Sequence, residues 1–90
     1  MVVAGTMTGF NATASGGTAE QPTQILHNRG TSEYIKEVIT WGVSGGATGN
    51  PSTIVYSYSA VSGGAGAYDT IGTITYTYDT NGNVTSWTWS

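Results

Sequence analysis

The stretch Thr73–Ser90, TITYTYDTNGNVTSWTWS, decides the fold. Apolar and polar residues alternate strictly on both sides of Asn81-Gly82, which is the period of a half-buried β-strand. Asn-Gly between two such runs is the strongest short-range hairpin signal, because both residues tolerate the left-handed backbone of a tight turn. A two-residue turn there pairs Thr80 with Asn83. It sets Tyr78 opposite Thr85, Tyr76 opposite Trp87 and Ile74 opposite Trp89 on one face. Thr77 then opposes Ser86, Thr75 opposes Thr88 and Thr73 opposes Ser90 on the other. Aromatic cross-strand pairs contribute roughly 0.2–1 kcal/mol each over Ala–Ala. A one-residue slip would move every tryptophan to the hydroxyl side, so this register is strongly specified.

The same alternation runs outward from this hairpin. In Ser52–Val61, STIVYSYSAV, residues Ile54, Tyr56, Tyr58 and Ala60 alternate with Val55, Ser57, Ser59 and Val61. The segments STIVYSY and GTITYTY superpose, Tyr56 on Tyr76 and Tyr58 on Tyr78, and read as two similar strands. TSEYIKEVITWG, residues 31–42, admits a helix capped by Ser32, with Tyr34, Ile35, Val38 and Ile39 at helical spacing. Its β-branched and aromatic content favours a strand, with Ile35, Glu37, Ile39 and Trp41 on one face. PTQILHNRG, residues 22–30, is a short apolar segment ending in a turn at Asn28-Arg29-Gly30. GVSGGATGNPS and SGGAGAYDT read as loops. Turn signals at this spacing predict an all-β chain: a small antiparallel β-sandwich or jelly-roll-like domain. Residues 1–19 are expected to form an extended N-terminal arm or strand, and residues 20–90 a single β domain.

Charge excludes more than any motif does. Of 90 residues only 8% are charged, against about 25% in ordinary globular chains. Five of the seven (Glu20, Arg29, Glu33, Lys36 and Glu37) fall in one stretch, and the surface is built from 14 Gly, 9 Ser and 16 Thr. Two cations cannot neutralise a run of phosphates, so nucleic acid is not an expected partner. No basic amphipathic segment suits a membrane surface, and no apolar run approaches the ~20 residues of a transmembrane helix. With no cysteine, neither a disulfide nor a zinc–thiolate site is possible. The start, MVVAGTMTGFNATASGG, lacks the basic beginning and uninterrupted apolar middle of a secretory signal. It reads as a mature chain or as a protein assembled without one, as virion components are.

Catalytic candidates are few. His27 is the single histidine and precedes a turn, which favours a structural or surface role. Glu33 and Glu37 flank Lys36 and read as solvated charges. Asp79, Asn81 and Asn83 match the first, third and fifth positions of a calcium loop. Val84 then stands where that loop needs Gly, and Ser90 where it needs Glu, so no metal site is expected. Tyr76-Thr77-Tyr78-Asp79 followed by Gly82-Asn83-Val84-Thr85 resembles one copy of the tyrosine–aspartate repeat of Rhs-type toxin shells. That family carries many tandem copies. The resemblance is confined to this hairpin and implies no activity.

The expected function is therefore non-enzymatic and cofactor-free: a self-assembling structural subunit, homo-oligomeric or polymeric, of an extracellular filament or a virion surface. Ordered glycine is costly and low charge leaves sheet edges unguarded, which in a polymer is how subunits join. Val2, Val3, Met7 and Phe10 are the expected intersubunit arm. Tyr76, Tyr78, Trp87 and Trp89 form an aromatic face serving as core or interface. The alternative is a small carbohydrate-binding, lectin-like module that stacks glycans on Trp41, Tyr56, Tyr58, Trp87 or Trp89.

Overall fold

The computed structural model describes residues 10–30, 33–60 and 67–90. Six strands follow in chain order: β1 (Asn11–Ser15), β2 (Gln24–Arg29), β3 (Glu33–Trp41), β4 (Pro51–Ser59), β5 (Asp69–Tyr78) and β6 (Val84–Trp89). They form one open sheet in the order β1-β2-β3-β4-β5-β6, every neighbour antiparallel. Among the described residues no second sheet packs against it, so the sheet is a simple meander rather than a two-layer sandwich. The segment around Ile35 is strand β3, as its β-branched content predicts, and not a helix. The only helical turn among the described residues is a short 3-10 segment, Gly45–Ala47, in the β3–β4 connection.

Register places one set of side chains on a common face. Ile25 opposes Glu37, which opposes Tyr56, which opposes Gly72. Ile39, Ile54, Ile74 and Trp89 form the next row across β3 to β6, and Tyr76 with Trp87 the row beyond. The buried apolar cluster is Ile25, Ile39 and Ile54, with Trp41, Tyr56 and Tyr76 packed against it. The core thus lies on the inner strands and thins toward both edges, where β1 and β6 are exposed along their whole length. The opposite face carries the hydroxyl rows of β4, β5 and β6. There Tyr34, Ser57 and Ser59 are buried, and the Lys36 ammonium lies 4.1 Å from the Tyr68 ring centroid.

The residues expected to form an N-terminal arm divide. Asn11–Ser15 pair with β2 of their own chain. Phe10 is half-buried, its ring 5.2 Å beneath the Arg29 guanidinium. Val2, Val3 and Met7 lie outside the described residues.

The last hairpin departs from the two-residue turn. The Asp79 N–H donates to the Asn83 carbonyl at 2.9 Å, and the Gly82 N–H to the Asp79 carbonyl at 3.1 Å. The turn therefore spans Asp79–Gly82, with Gly82 at φ 84°, a conformation that suits glycine. Asp79 opposes Asn83 where Thr80 was expected to, and Tyr78 opposes Val84 rather than Thr85. The cause is the Asp79 carboxylate, whose Oδ1 accepts the N–H groups of both Asn81 and Asn83 at 2.9 Å. This side-chain turn competes successfully with the tighter one. A bulge between Thr77 and Tyr78 absorbs the extra residue, and the expected pairs return at Thr77–Ser86, Tyr76–Trp87 and Ile74–Trp89.

These amide donors, the Asn83 N–H first, hold the Asp79 carboxyl below its ordinary value. The folded pKa is depressed, so the turn's contribution is present above the unfolded value of about 4 and is lost as pH falls through the lower folded value. The Asn81 and Asn83 amide resonances are expected to shift together in that acidic window. Shifts that stay constant down to full protonation of Asp79 would contradict this bonding.

Candidate functional site

The apolar face is unevenly covered. On β5 and β6 it displays Tyr76, Tyr78, Trp87 and Trp89, the residues singled out by alternation. Tyr76 and Tyr78 are half-buried, their ring centroids 6.3 Å apart. The Tyr78 hydroxyl donates to the Pro51 carbonyl at 2.6 Å, which ties β5 to the start of β4. Trp87 and Trp89, by contrast, are 63% and 51% exposed. The aromatic face is thus core at its inner margin and open surface at β6.

Two contacts fix Trp89 despite its exposure. Its ring lies against the backbone of Gly72, where an added Cβ would come within 2.4 Å of the indole. Its centroid is 5.7 Å from that of Tyr56, the planes tilted by 43°. An aromatic side chain laid across a strand glycine restores the contact the glycine lacks. Trp89 is therefore held against Tyr56 by the sheet, with Trp87 exposed opposite Tyr76 in the next row. Trp41, also on this face, is less available: it packs on the core, and its indole N–H donates to the Pro22 carbonyl at 2.9 Å.

At the other end of this face the structure corrects the reading of the charges. Glu37 is not a solvated charge. It is 5% exposed and hydrogen-bonds the Nε2 of His27, itself 1% exposed. Glu37 sits on the same strand face as Ile35, Ile39 and Trp41, and the β2–β3 register brings His27 diagonally to it. Tyr56 lies directly opposite Glu37 in the β3–β4 pairing. Burial, with the Glu37 charge beside it, pushes the Tyr56 phenol up to about 12. It therefore remains a donor over the neutral range. The Nδ1 of His27 has no hydrogen-bond partner among the described residues. The signal was present in sequence: a carboxylate on the apolar side of a strand needs a buried partner. Only the pairing of β2 with β3 identified which residue that was. Glu33, by contrast, is a surface charge, paired with Arg29 directly across the β2–β3 hairpin.

Among the described residues no group of three or more His, Cys, Asp or Glu is placed to hold a metal ion. Of the residues that suggested a calcium loop, Asp79 has both carboxylate oxygens engaged in the turn, accepting from Asn81 and Asn83. No described helix is long and apolar enough to cross a membrane. No protein-family model, curated protein or solved structure matches this chain.

Proposed function

We propose that this protein is a non-enzymatic, self-assembling structural subunit, a component of an extracellular filament or of a virion surface. One observation carries the reading: among the described residues, the six-stranded sheet leaves its aromatic face uncovered at β6 and both of its edge strands open. An exposed apolar patch on an ordered scaffold marks an interaction site. Tyr and Trp are the residues that anchor such sites, because they bury a large area at little entropic cost. In this reading another subunit covers the sheet where its own chain leaves β6 open.

The edges argue in the same direction. Proteins that stay monomeric guard edge strands with Lys, Pro or inward-pointing charge. Neither NATAS on β1 nor VTSWTW on β6 contains any of these. With two cations in the whole chain, the partner is another copy of a nearly neutral surface and not nucleic acid. The second reading, a glycan-binding module, has its own support in the exposed Trp87 and Trp89 beside Tyr56, aromatic surface of the kind on which sugar rings stack.

Light scattering on the native protein, with a negative-stain micrograph of the same sample, tests the first reading. A filament or a large discrete particle is expected. A concentration-independent mass of 9.3 kDa would overturn it and direct attention to a glycan array.

A further inference from the structure

The backbone of the two edge strands specifies how one copy meets the next. Thr73 and Ser90 exchange both backbone hydrogen bonds, at 2.9 and 3.0 Å. In an antiparallel ladder such pairs alternate with pairs whose N–H and C=O groups point away. Thr75–Thr88 and Thr77–Ser86 are therefore also bonded inward. The backbone groups of Trp87 and Trp89 point off the sheet, at its open edge. At the other edge the Ser15 carbonyl accepts the Thr23 N–H at 3.2 Å, so Ser15 faces inward. By the same alternation Thr13 and Asn11 face inward, and Ala12 and Ala14 present their backbone groups outward.

We infer that copies of this chain join edge to edge, β6 of one against β1 of the next, with Trp87 opposite Ala14 and Trp89 opposite Ala12. This rests on the self-assembly reading and gives it a register. The strand count allows it. Six antiparallel strands leave β6 running opposite to β1, so a copy displaced sideways continues the up-and-down order with the same face upward. The outward-pointing residues at the two edges, Ala12 and Ala14 on one side and Trp87 and Trp89 on the other, all belong to that face. Bonded pairs across the junction must therefore set an indole beside an alanine, and the small residue leaves room for the ring. Beyond its bulge β6 runs Ser86–Trp89, and Ser90 still exchanges backbone bonds with Thr73, so these five residues can lie along Asn11–Ser15 in this register, the one that sets both tryptophans on alanine. The contact is heterologous and leaves a free edge at each end, so growth is open or closes into a ring.

In this register Thr13 of one copy lies opposite Thr88 of the next as a pair without mutual backbone bonds, with Cα atoms about 4.5 Å apart. That spacing admits a disulfide. Within one chain the two residues sit on opposite edges and cannot meet. Mild oxidation of the doubly substituted Thr13→Cys, Thr88→Cys protein should give a covalent ladder at multiples of 9.3 kDa on a non-reducing gel. Thr13→Cys with Ser86→Cys, and Ser15→Cys with Thr88→Cys, are out of register and should not. As a second measurement, Ala12→Pro removes an outward N–H while leaving every bond inside the sheet. It should abolish assembly and leave the circular dichroism spectrum unchanged. Assembly by light scattering with no ladder above the out-of-register controls would overturn this junction while leaving self-assembly standing. A monomeric parent protein would overturn both.

Discussion

Replacing Glu37 with Ala is expected to cost about 1–3 kcal/mol of folding stability or more, the usual effect of leaving a buried hydrogen-bonding group without its partner. The loss is large beside a total of ~5–15 kcal/mol. Removing the carboxylate leaves Nε2 of His27 without its acceptor. Nδ1 already lacks a partner among the described residues, so the imidazole would be buried with neither nitrogen bonded. In urea the midpoint should fall steeply with the slope little changed, because the surface exposed on unfolding is the same. Glu37→Gln keeps an acceptor and should fall less. The double substitution His27→Leu, Glu37→Met should recover most of the loss, since replacing both partners of a buried polar contact by apolar groups of similar shape is often nearly neutral. A Glu37→Ala stability within about 0.5 kcal/mol of the parent, the range of an ordinary surface change, would show that the pair is not holding β2 to β3.

Trp87→Lys is expected to convert the assembled protein to a 9.3 kDa monomer with its fold intact. Trp87 is the more exposed of the two β6 tryptophans, and its in-chain contact is the cross-strand pair with Tyr76. Losing that pair costs roughly 0.2–1 kcal/mol, too little to unfold the sheet. The introduced ammonium would be carried into every junction without a partner, and lysine is the residue natural edge strands use against pairing. Trp89→Lys is the less clean variant, because Trp89 also covers Gly72 and Tyr56 and its loss weakens the sheet itself. Sedimentation and thermal melting on the same sample separate the two effects. If Trp87→Lys assembles like the parent, the β6 aromatic surface is not the contact. If it is monomeric like a monomeric parent and loses binding on a glycan array, that surface is a sugar site.

These residues also show what was legible before the fold. Strand existence, strand faces and the inner pairs of the last hairpin follow from local chemistry. Tyr76 had to oppose Trp87, and Ile74 had to oppose Trp89, because any slip exposes the wrong face to water. The turn itself was misread by one residue. Asn81-Gly82 is a strong local signal, but the Asp79 carboxylate captures two backbone amides and draws the chain into a longer turn. The bulge that restores the register is set by the rest of the sheet and not by the turn sequence.

Alternation cannot say what lies above a face. The sequence by itself determined that this protein is an antiparallel β-chain with one aromatic and one hydroxyl side, with hardly any charge to guard its edges. Those properties reside in neighbouring residues and in the period of a strand. Tertiary structure alone decided that the strands lie in one meander, that Glu37 is buried against His27, and that Trp87 and Trp89 fall on an outer strand instead of a central one. Each of these depends on which strands are neighbours. A carboxylate between isoleucines is a surface charge or a buried pair according to the strand beside it. A tryptophan is core or contact according to whether another strand lies beside it.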